Sequence, residues 1–226
     1  MNEDHLLAIG LARMEISLPE QVRETLLRFL HELGRWNRRL NLTAITDPEE
    51  AVEKHLLDSL TLLPILRGGE RLLDMGSGAG FPGIPLKIAL PGLRVCSVDA
   101  VAKKVDFQRH IIRLLGLPGF EPRHGRAEVL GEKEEFSKAF DVVVSRAFSS
   151  LTAFAKLALP WLAPNGRIVA MKGAEGESEL EAAGEELEQM GLRCLDAGRL
   201  RLPFSRAKRM LIVLAKGEEY PLSPNI

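Results

Sequence analysis

From Arg71 onward the sequence alternates short apolar runs with longer amphipathic ones: RLLDM, PGIPLKIAL, LRVCSVD, AKKVDFQRHIIRLLGL, FEPRH, FDVVVS, SLTAFAKLALPWL and GRIVAMK. Runs that short and that apolar suit strands covered on both faces, and the stretches between them have helical spacing. The alternation therefore predicts a doubly wound, mostly parallel α/β sheet. An acidic helix follows at about 177–190, and then RCLDAGRLRL and RMLIVLAK, joined by six residues that include Pro203. A connection of that length cannot hold a crossover helix, so this last pair is predicted antiparallel, giving seven strands in all.

Residues 1–67 read differently. In PEQVRETLLRFLHELGRWNRRL, Val22, Leu26, Phe29, Leu30, Leu33, Trp36 and Leu40 fall at three- and four-residue spacings, one apolar stripe of a helix. Trp36 on that stripe is read as core rather than as an RNA-stacking ring. Asp47, Pro48 and Glu50 form a helix start signal ahead of AVEKHLLDSLTLLPIL, and RGGE at 67–70 breaks the chain. The expected organisation is a helical extension, 1–67, on a sheet domain, 68–226. His55 and Asp58 lie one helical turn apart, which predicts an Asp-oriented histidine facing the linker or a nucleic acid.

With 46% hydrophobic and 27% charged residues among 226, the chain has an ordinary globular composition. No stretch approaches 18 apolar residues, and MNEDHLLAIG has acids where a signal peptide has basic residues, so a cytoplasmic protein with no membrane association, by default a monomer, is expected. Cys96 and Cys194 are read as buried, reduced thiols, and no C-x-x-C or H-x-x-x-H spacing offers a metal site. The net charge of -1 hides a segregation. Residues 173–190 hold seven glutamates and no Lys or Arg, read as a solvated helix face. Setting those seven apart from the 31 acids leaves 24 against 30 basic residues, a net of +6, concentrated in Arg35–Arg39, Lys103–Lys104, Arg109–Arg113, Arg123–Arg126 and Arg199–Arg209. Such patches are consistent with a polyanionic partner.

The turn after the first strand reads DMGSGAGFPG, Asp74 to Gly83. In open α/β sheets ligands sit beyond the carboxyl ends of the strands, and glycine there removes side chains from the approach. GAGFPG matches a dinucleotide fingerprint, but it leaves Asp74-Met-Gly76-Ser unexplained, whereas D-x-G-x-G-x-G from Asp74 accounts for every glycine through Gly80. A carboxylate at Asp74 is unhelpful beside a pyrophosphate and favourable near the ammonium and sulfonium of S-adenosylmethionine. Asp99, 21 residues after Gly78, ends the second strand, where a carboxylate accepts both hydroxyls of an adenosine ribose. With the antiparallel last pair, the reading is a class I S-adenosylmethionine-dependent methyltransferase fold: Rossmann-like, with an N-terminal helical extension. Asp74, Gly76, Gly78 and Asp99 are its candidate cofactor residues.

For the methyl acceptor, no [DN]-P-P-[YF] follows the fourth strand, as exocyclic base amines would call for, and no Pro-Cys provides the nucleophile of C5-pyrimidine transfer. At the corresponding strand end stands Ser145-Arg146-Ala147-Phe148. A ring nitrogen with its own lone pair, such as guanine N7, needs positioning and electrostatics but no general base. A small-molecule acceptor remains open on these residues, with a non-catalytic RNA-binding protein behind it.

Several motifs together carry a resemblance: WNRRLNLT at 36–43, HLLDSL at 55–60, DMGSGAGFPGIP at 74–85, Lys103-Lys104, GRAE at 125–128, DVVVSRA at 141–147 and Lys172-Gly173. Over roughly residues 17–216 the chain resembles the bacterial small-subunit ribosomal RNA guanine-N7 methyltransferases, also called glucose-inhibited division protein B. The resemblance implies methylation of a guanine in 16S ribosomal RNA or the small-subunit particle, with S-adenosylmethionine. It further implies cofactor contacts at Gly76, Phe81, Ala127, Glu128 and Arg146, and basic residues Lys103, Lys104, Arg126 and Lys172 at the edge where RNA arrives. Arg146 and Lys172 are the candidate catalytic pair. One departure is that Asp106 and Gln108 flank Phe107 where the family has a more apolar Phe-Leu pair, which puts the local packing in question.

Overall fold

The computed structural model describes residues 2–146, 148 and 150–217. Seven strands form one sheet: β1 (Arg71–Met75), β2 (Arg94–Asp99), β3 (Phe120–His124), β4 (Phe140–Ser145), β5 (Leu162–Lys172), β6 (Leu192–Arg201) and β7 (Lys208–Lys216). Their order is β3-β2-β1-β4-β5-β7-β6. The first five run parallel, and β7 is antiparallel to both β5 and β6. The winding reverses between β1 and β4, the switch point at which open α/β sheets leave a crevice beyond the carboxyl ends of their strands.

Successive strand side chains point to opposite faces, and both faces are buried. Leu72, Val142, Val144, Val169, Met171, Leu211 and Val213 join one core, and Leu73, Met75, Val143, Ile168, Ala170, Ile212 and Leu214 the other. The first face is covered by α5 (Gly83–Ala89), α6 (Ala102–Leu115) and the N-terminal helices; the second by α8 (Leu151–Ala158) and α9 (Gly176–Gln189). The N-terminal layer is thus continuous with the sheet's own core: Leu26, Phe29 and Leu33 share it with Phe81, Ile84 and Phe107.

That layer comprises α1 (Glu3–Arg13), α2 (Glu20–Leu40) and a helical run through residues 48–60. Asn41 closes α2 in the left-handed region, and buried Asn37 ties down the chain beyond it, accepting from the Leu42 and Thr43 amides at 2.6 and 2.9 Å. Asp47 Oδ1 accepts the Glu50 amide at 2.8 Å, the cap that the sequence predicts. The run then departs from regular helix: α3 (Pro48–Ala51) passes into a π-helical segment, Val52–Leu57, before α4 (Asp58–Leu60). A π turn takes one residue more per hydrogen bond and is found mostly near functional sites. No residue type in VEKHLL announces it.

Two expectations need correction. Cys96 is buried, and burial pushes its thiol up to about 12, but Cys194 is exposed, because β6 is the sheet's edge strand and shifts register between Cys194 and Asp196. The acidic helix is not simply solvated: Glu177, Glu179 and Glu186 pair with Arg199, Lys172 and Lys156.

Candidate active site

At the β1 end, the DMGSGAGFPG turn takes its shape from three left-handed glycines, Gly76, Gly78 and Gly80 at φ 73°, 58° and 101°. Their reasons for being glycine differ. A Cβ on Gly80 would lie 2.3 Å from Ile84 Cδ1, and one on Gly83 2.8 Å from Asp74 Oδ2, so those two serve internal packing. A Cβ on Gly76 would meet only Phe148 Cε2 at 3.8 Å, and one on Gly78 only Lys104 Nζ at 4.0 Å. The space above Gly76 and Gly78 is open, a cradle that a side chain would fill and a ligand can.

Carboxylates hold the turn from both ends. Asp99 accepts the Gly78 amide at 2.7 Å through Oδ2 and the Val101 amide at 2.8 Å through Oδ1. Each oxygen has a second lone pair, so these bonds leave capacity for a diol. Asp74, fully buried, accepts the Gly83 amide at 2.8 Å through Oδ2, while its Oδ1 has no hydrogen-bond partner among the described residues. Burial pushes the Asp74 carboxyl up to about 7; the Gly83 amide and Arg146 pull it down, and the charge of Asp99 adds to the rise. A cation brought nearby would relieve that burial cost.

Gln108 underpins the same turn and is the residue that the motifs miss. Its amide donates to Ser77 Oγ at 2.8 Å and the Gly78 carbonyl at 2.7 Å, and accepts from Ser97 Oγ at 2.5 Å. A polar residue beside Phe107 on the buried stripe of α6 was the signal. It marks a strut of the turn, and Phe107 itself is fully buried against Phe29 and Trp36, so local packing is intact.

Across the crevice, at the β4, β5 and β7 ends, the groups are cationic. Arg146 donates to the Lys54 carbonyl at 2.8 Å, lies 3.7 Å from Asp58 Oδ2 and sits 5.4 Å above the Phe81 ring. Asp58 Oδ1 accepts Arg209 Nε at 2.7 Å. Lys172 donates to the Phe148 carbonyl at 3.0 Å and pairs with Glu179 at 2.6 Å. A cavity of about 260 Å³ is lined by Lys54, Asp58, Arg146, Lys172 and Arg209, with Ile45, Met171 and Gly173. Among the described residues that line it, four are cationic and one is a carboxylate. Burial lowers Arg146, and Asp58 then Asp74 raise it, so the two sides of the crevice sense each other electrostatically.

The structure distributes the remaining sequence candidates unevenly. Ala127 and the exposed Glu128 open α7 (Ala127–Leu130), beside Asp99, whose carbonyl accepts the Gly125 amide at 3.1 Å. Arg126 is exposed on the same edge, and Lys104 reaches toward Gly78. Lys103 donates to the Leu40 carbonyl at 2.5 Å, at the end of α2. Phe81 packs its ring on Phe29 and His55, at 5.1 and 4.3 Å, leaving only its backbone for a ligand in the turn. Ala147 of the SRA motif lies outside the described residues. Trp36 is half-buried against Phe107, on the core as expected. Asp58 does not orient His55: the π segment turns Asp58 to the arginines, while His55 meets Thr43 Oγ1 at 3.0 Å in the linker and is lowered to about 3 by burial and then Arg146.

The chain has relatives in sequence and in fold. The family model described as rRNA small subunit methyltransferase G matches residues 22–200. A protein of Syntrophotalea carbinolica named ribosomal RNA small subunit methyltransferase G is 50% identical over 91% of this chain and 94% of its own length. One of the same name from Geobacter sp. strain M21 is 48% identical over 93% and 96%. Among solved structures, M. jannaschii TYW2 in complex with AdoMet aligns with a TM-score of 0.54 at 17% identity, over 70% of this chain and 72% of that one. TrmN from Thermus thermophilus aligns with a TM-score of 0.54 at 21% identity, over 71% and 48%. At those identities the structures are similar in fold alone.

Proposed function

The chain belongs to the rRNA small subunit methyltransferase G family, and on that premise we propose that it transfers a methyl group from S-adenosylmethionine to N7 of a guanine in 16S ribosomal RNA. The observation that carries this reading is the polarity of the crevice: an open glycine cradle flanked by Asp74 and Asp99 on one side, and a cavity lined by Arg146, Lys172 and Arg209 on the other. A cationic cofactor suits the first side and an anionic nucleic acid the second.

The residues fit the cofactor. Gly76 and Gly78 leave room for it, Asp99 retains lone pairs for its ribose diol, and the unpartnered Oδ1 of buried Asp74 suits its positive charge. Bound there, S-adenosylmethionine supplies a methyl group on a sulfonium, open to in-line attack. Ala127 and Glu128, next to Asp99, border the adenosine end in this reading. Arg146 and Lys172 hold the acceptor, their charges anchored by Asp58 and Glu179 so that they enter the crevice at fixed positions. Guanine N7 carries its own lone pair and no proton to lose, so Arg146 and Lys172 would act by orientation and field, not by removing a proton. His55, the imidazole adjoining this region, is stacked on Phe81 with a pKa of about 3, a poor base at neutral pH. Lys104 and Arg126, and Lys103 once it leaves the Leu40 carbonyl, border the RNA side. The enzyme works in this reading as a cytoplasmic monomer; among the described residues no helix is long and apolar enough to cross a membrane.

Tritiated S-adenosylmethionine, offered with small-subunit particles or naked 16S RNA from a strain lacking the activity, tests the proposal. Label should enter 16S RNA and appear as N7-methylguanine after nuclease digestion. Label confined to small molecules, or to another base position, would overturn it.

A further inference from the structure

Beside the acceptor cavity runs a second groove, of about 580 Å³, between the end of β5 and the β6–β7 hairpin. Arg199, Arg201, Arg206, Lys208 and Arg209 line it, with Glu177 the one carboxylate among the described residues there. Glu177 is paired with Arg199, and Arg209 with Asp58. Arg201, Arg206 and Lys208 are exposed, and among the described residues none has a carboxylate partner; the Arg201 guanidinium reaches only the Arg206 carbonyl, at 3.3 Å. The groove shares Gly173 and Arg209 with the acceptor cavity, so the two are continuous.

The platform under these cations is fixed by the N-terminal layer. Buried Glu53, in the π segment, accepts the Phe204 and Ser205 amides at 2.7 and 3.0 Å. Arg13 donates to the Pro203 carbonyl at 2.9 Å and covers the Phe204 ring at 5.0 Å. Leu202 and Ala207 close the turn with a 3.0 Å backbone bond. Three uncompensated, solvated cations on a rigid turn suit repeated anionic groups outside the protein, with little ordering cost on binding.

We propose that this groove holds the ribose-phosphate backbone of the RNA strand flanking the methylated base, feeding that base into the cavity at Arg146. The inference deepens the proposed function and takes its substrate class from it. Phosphate contacts of this kind position a strand without reading sequence, and each neutralised phosphate releases counterions.

The test is the triple variant Arg201→Ala/Arg206→Ala/Lys208→Ala. Filter binding of 16S RNA at several salt concentrations should show an affinity about tenfold or more below wild type at ~0.1 M salt, and a log–log salt slope shallower by about 2, from three contacts at ~0.7 each. The KM for RNA should rise with kcat holding, and S-adenosylmethionine binding and the melting temperature should match wild type. Arg201→Lys/Arg206→Lys should keep the wild-type slope, since charge is what acts. An unchanged slope and KM in a folded, cofactor-binding triple variant would overturn the groove, as would equal competition by inorganic phosphate at matched phosphate concentration. Because binding is read without turnover, the two proposals separate: RNA binding lost in the variant while wild type transfers no methyl would sink the function and leave the groove standing.

Discussion

The two sides of the crevice are built by opposite means. The glycine side consists of backbone and short carboxylates contributed mainly by one contiguous stretch, Asp74–Gly83, closed by Asp99. The cationic side consists of long side chains from residues far apart in sequence, Arg146, Lys172 and Arg209, aimed by Asp58 and Glu179 on helices. A motif can encode the first because its geometry is local. The second exists only after the sheet has brought β4, β5 and β7 together and the π segment has turned Asp58 toward them. One side is a preformed cradle, and the other is a charge network whose parts depend on one another.

That dependence should show as the largest effect. Asp58→Ala leaves Arg146 and Arg209 without their common carboxylate. Breaking a fully buried pair costs about 3–5 kcal/mol, but the two arginines are 26% and 23% exposed, so about 2–4 kcal/mol is expected after solvent screening. Urea denaturation checks it; a loss below about 0.5 kcal/mol would mean that the arginines are held without Asp58. Gly78→Val probes the other side, where the expected loss is in binding. A Cβ there would meet only Lys104 Nζ, at 4.0 Å, so the new side chain would grow into the open cradle. Affinity for S-adenosylmethionine by calorimetry should fall about 100-fold, some 2.7 kcal/mol, with a smaller fall in stability from its positive φ. Unchanged affinity would remove the cofactor from this turn.

Gln108→Leu ranks next and blurs the division, since it acts on the cradle from inside the core. It strips partners from Ser77, Ser97 and the Gly78 carbonyl at once. Stranded buried polar groups cost about 1–3 kcal/mol each, less what the added apolar contact returns. A net loss of about 1–3 kcal/mol in denaturant titrations, together with weakened cofactor binding, is expected. Loss of stability with full cofactor affinity would reduce Gln108 to packing.

Most of the fold was legible, because strand and helix periodicities, the Asp47 cap and the short β6–β7 connection are local signals. Seven strands with an antiparallel last pair follow from them directly. What could not be read is register and reach. Cys194 lies in an apolar-looking run, but only the strand order makes β6 an edge. Lys103 looks like any basic residue at a helix start until α2 ends beside it. His55 and Asp58 are three residues apart, which in a regular helix means a shared face; the π segment breaks that inference, and Asp58 joins Arg209, a residue 151 positions away. Glu53 is a similar case, an acid on a helix whose partners are the backbone of a hairpin turn.

The smallest predicted effect is a pH slope in which two buried groups, Asp74 and His55, cancel. Asp74 is raised from 3.8 to about 7 in the folded protein. Between those values the folded state keeps a proton that the unfolded state has lost, so stability falls as pH rises, by up to about 1.4 kcal/mol per pH unit. His55 is lowered from 6.5 to about 3. Over that window the unfolded state holds the proton and the folded state does not, so stability rises with pH by up to a similar amount. From about pH 4 to pH 6.5 the two contributions oppose, and from this pair wild-type unfolding free energy should be nearly flat. Asp74→Asn keeps only the histidine slope and should lose stability on acidification; His55→Gln keeps only the aspartate slope and should gain it. Denaturant titrations at half-unit steps distinguish the two signs. If both variants keep the wild-type profile, the carboxyl and the imidazole are not the opposed buried groups of this core.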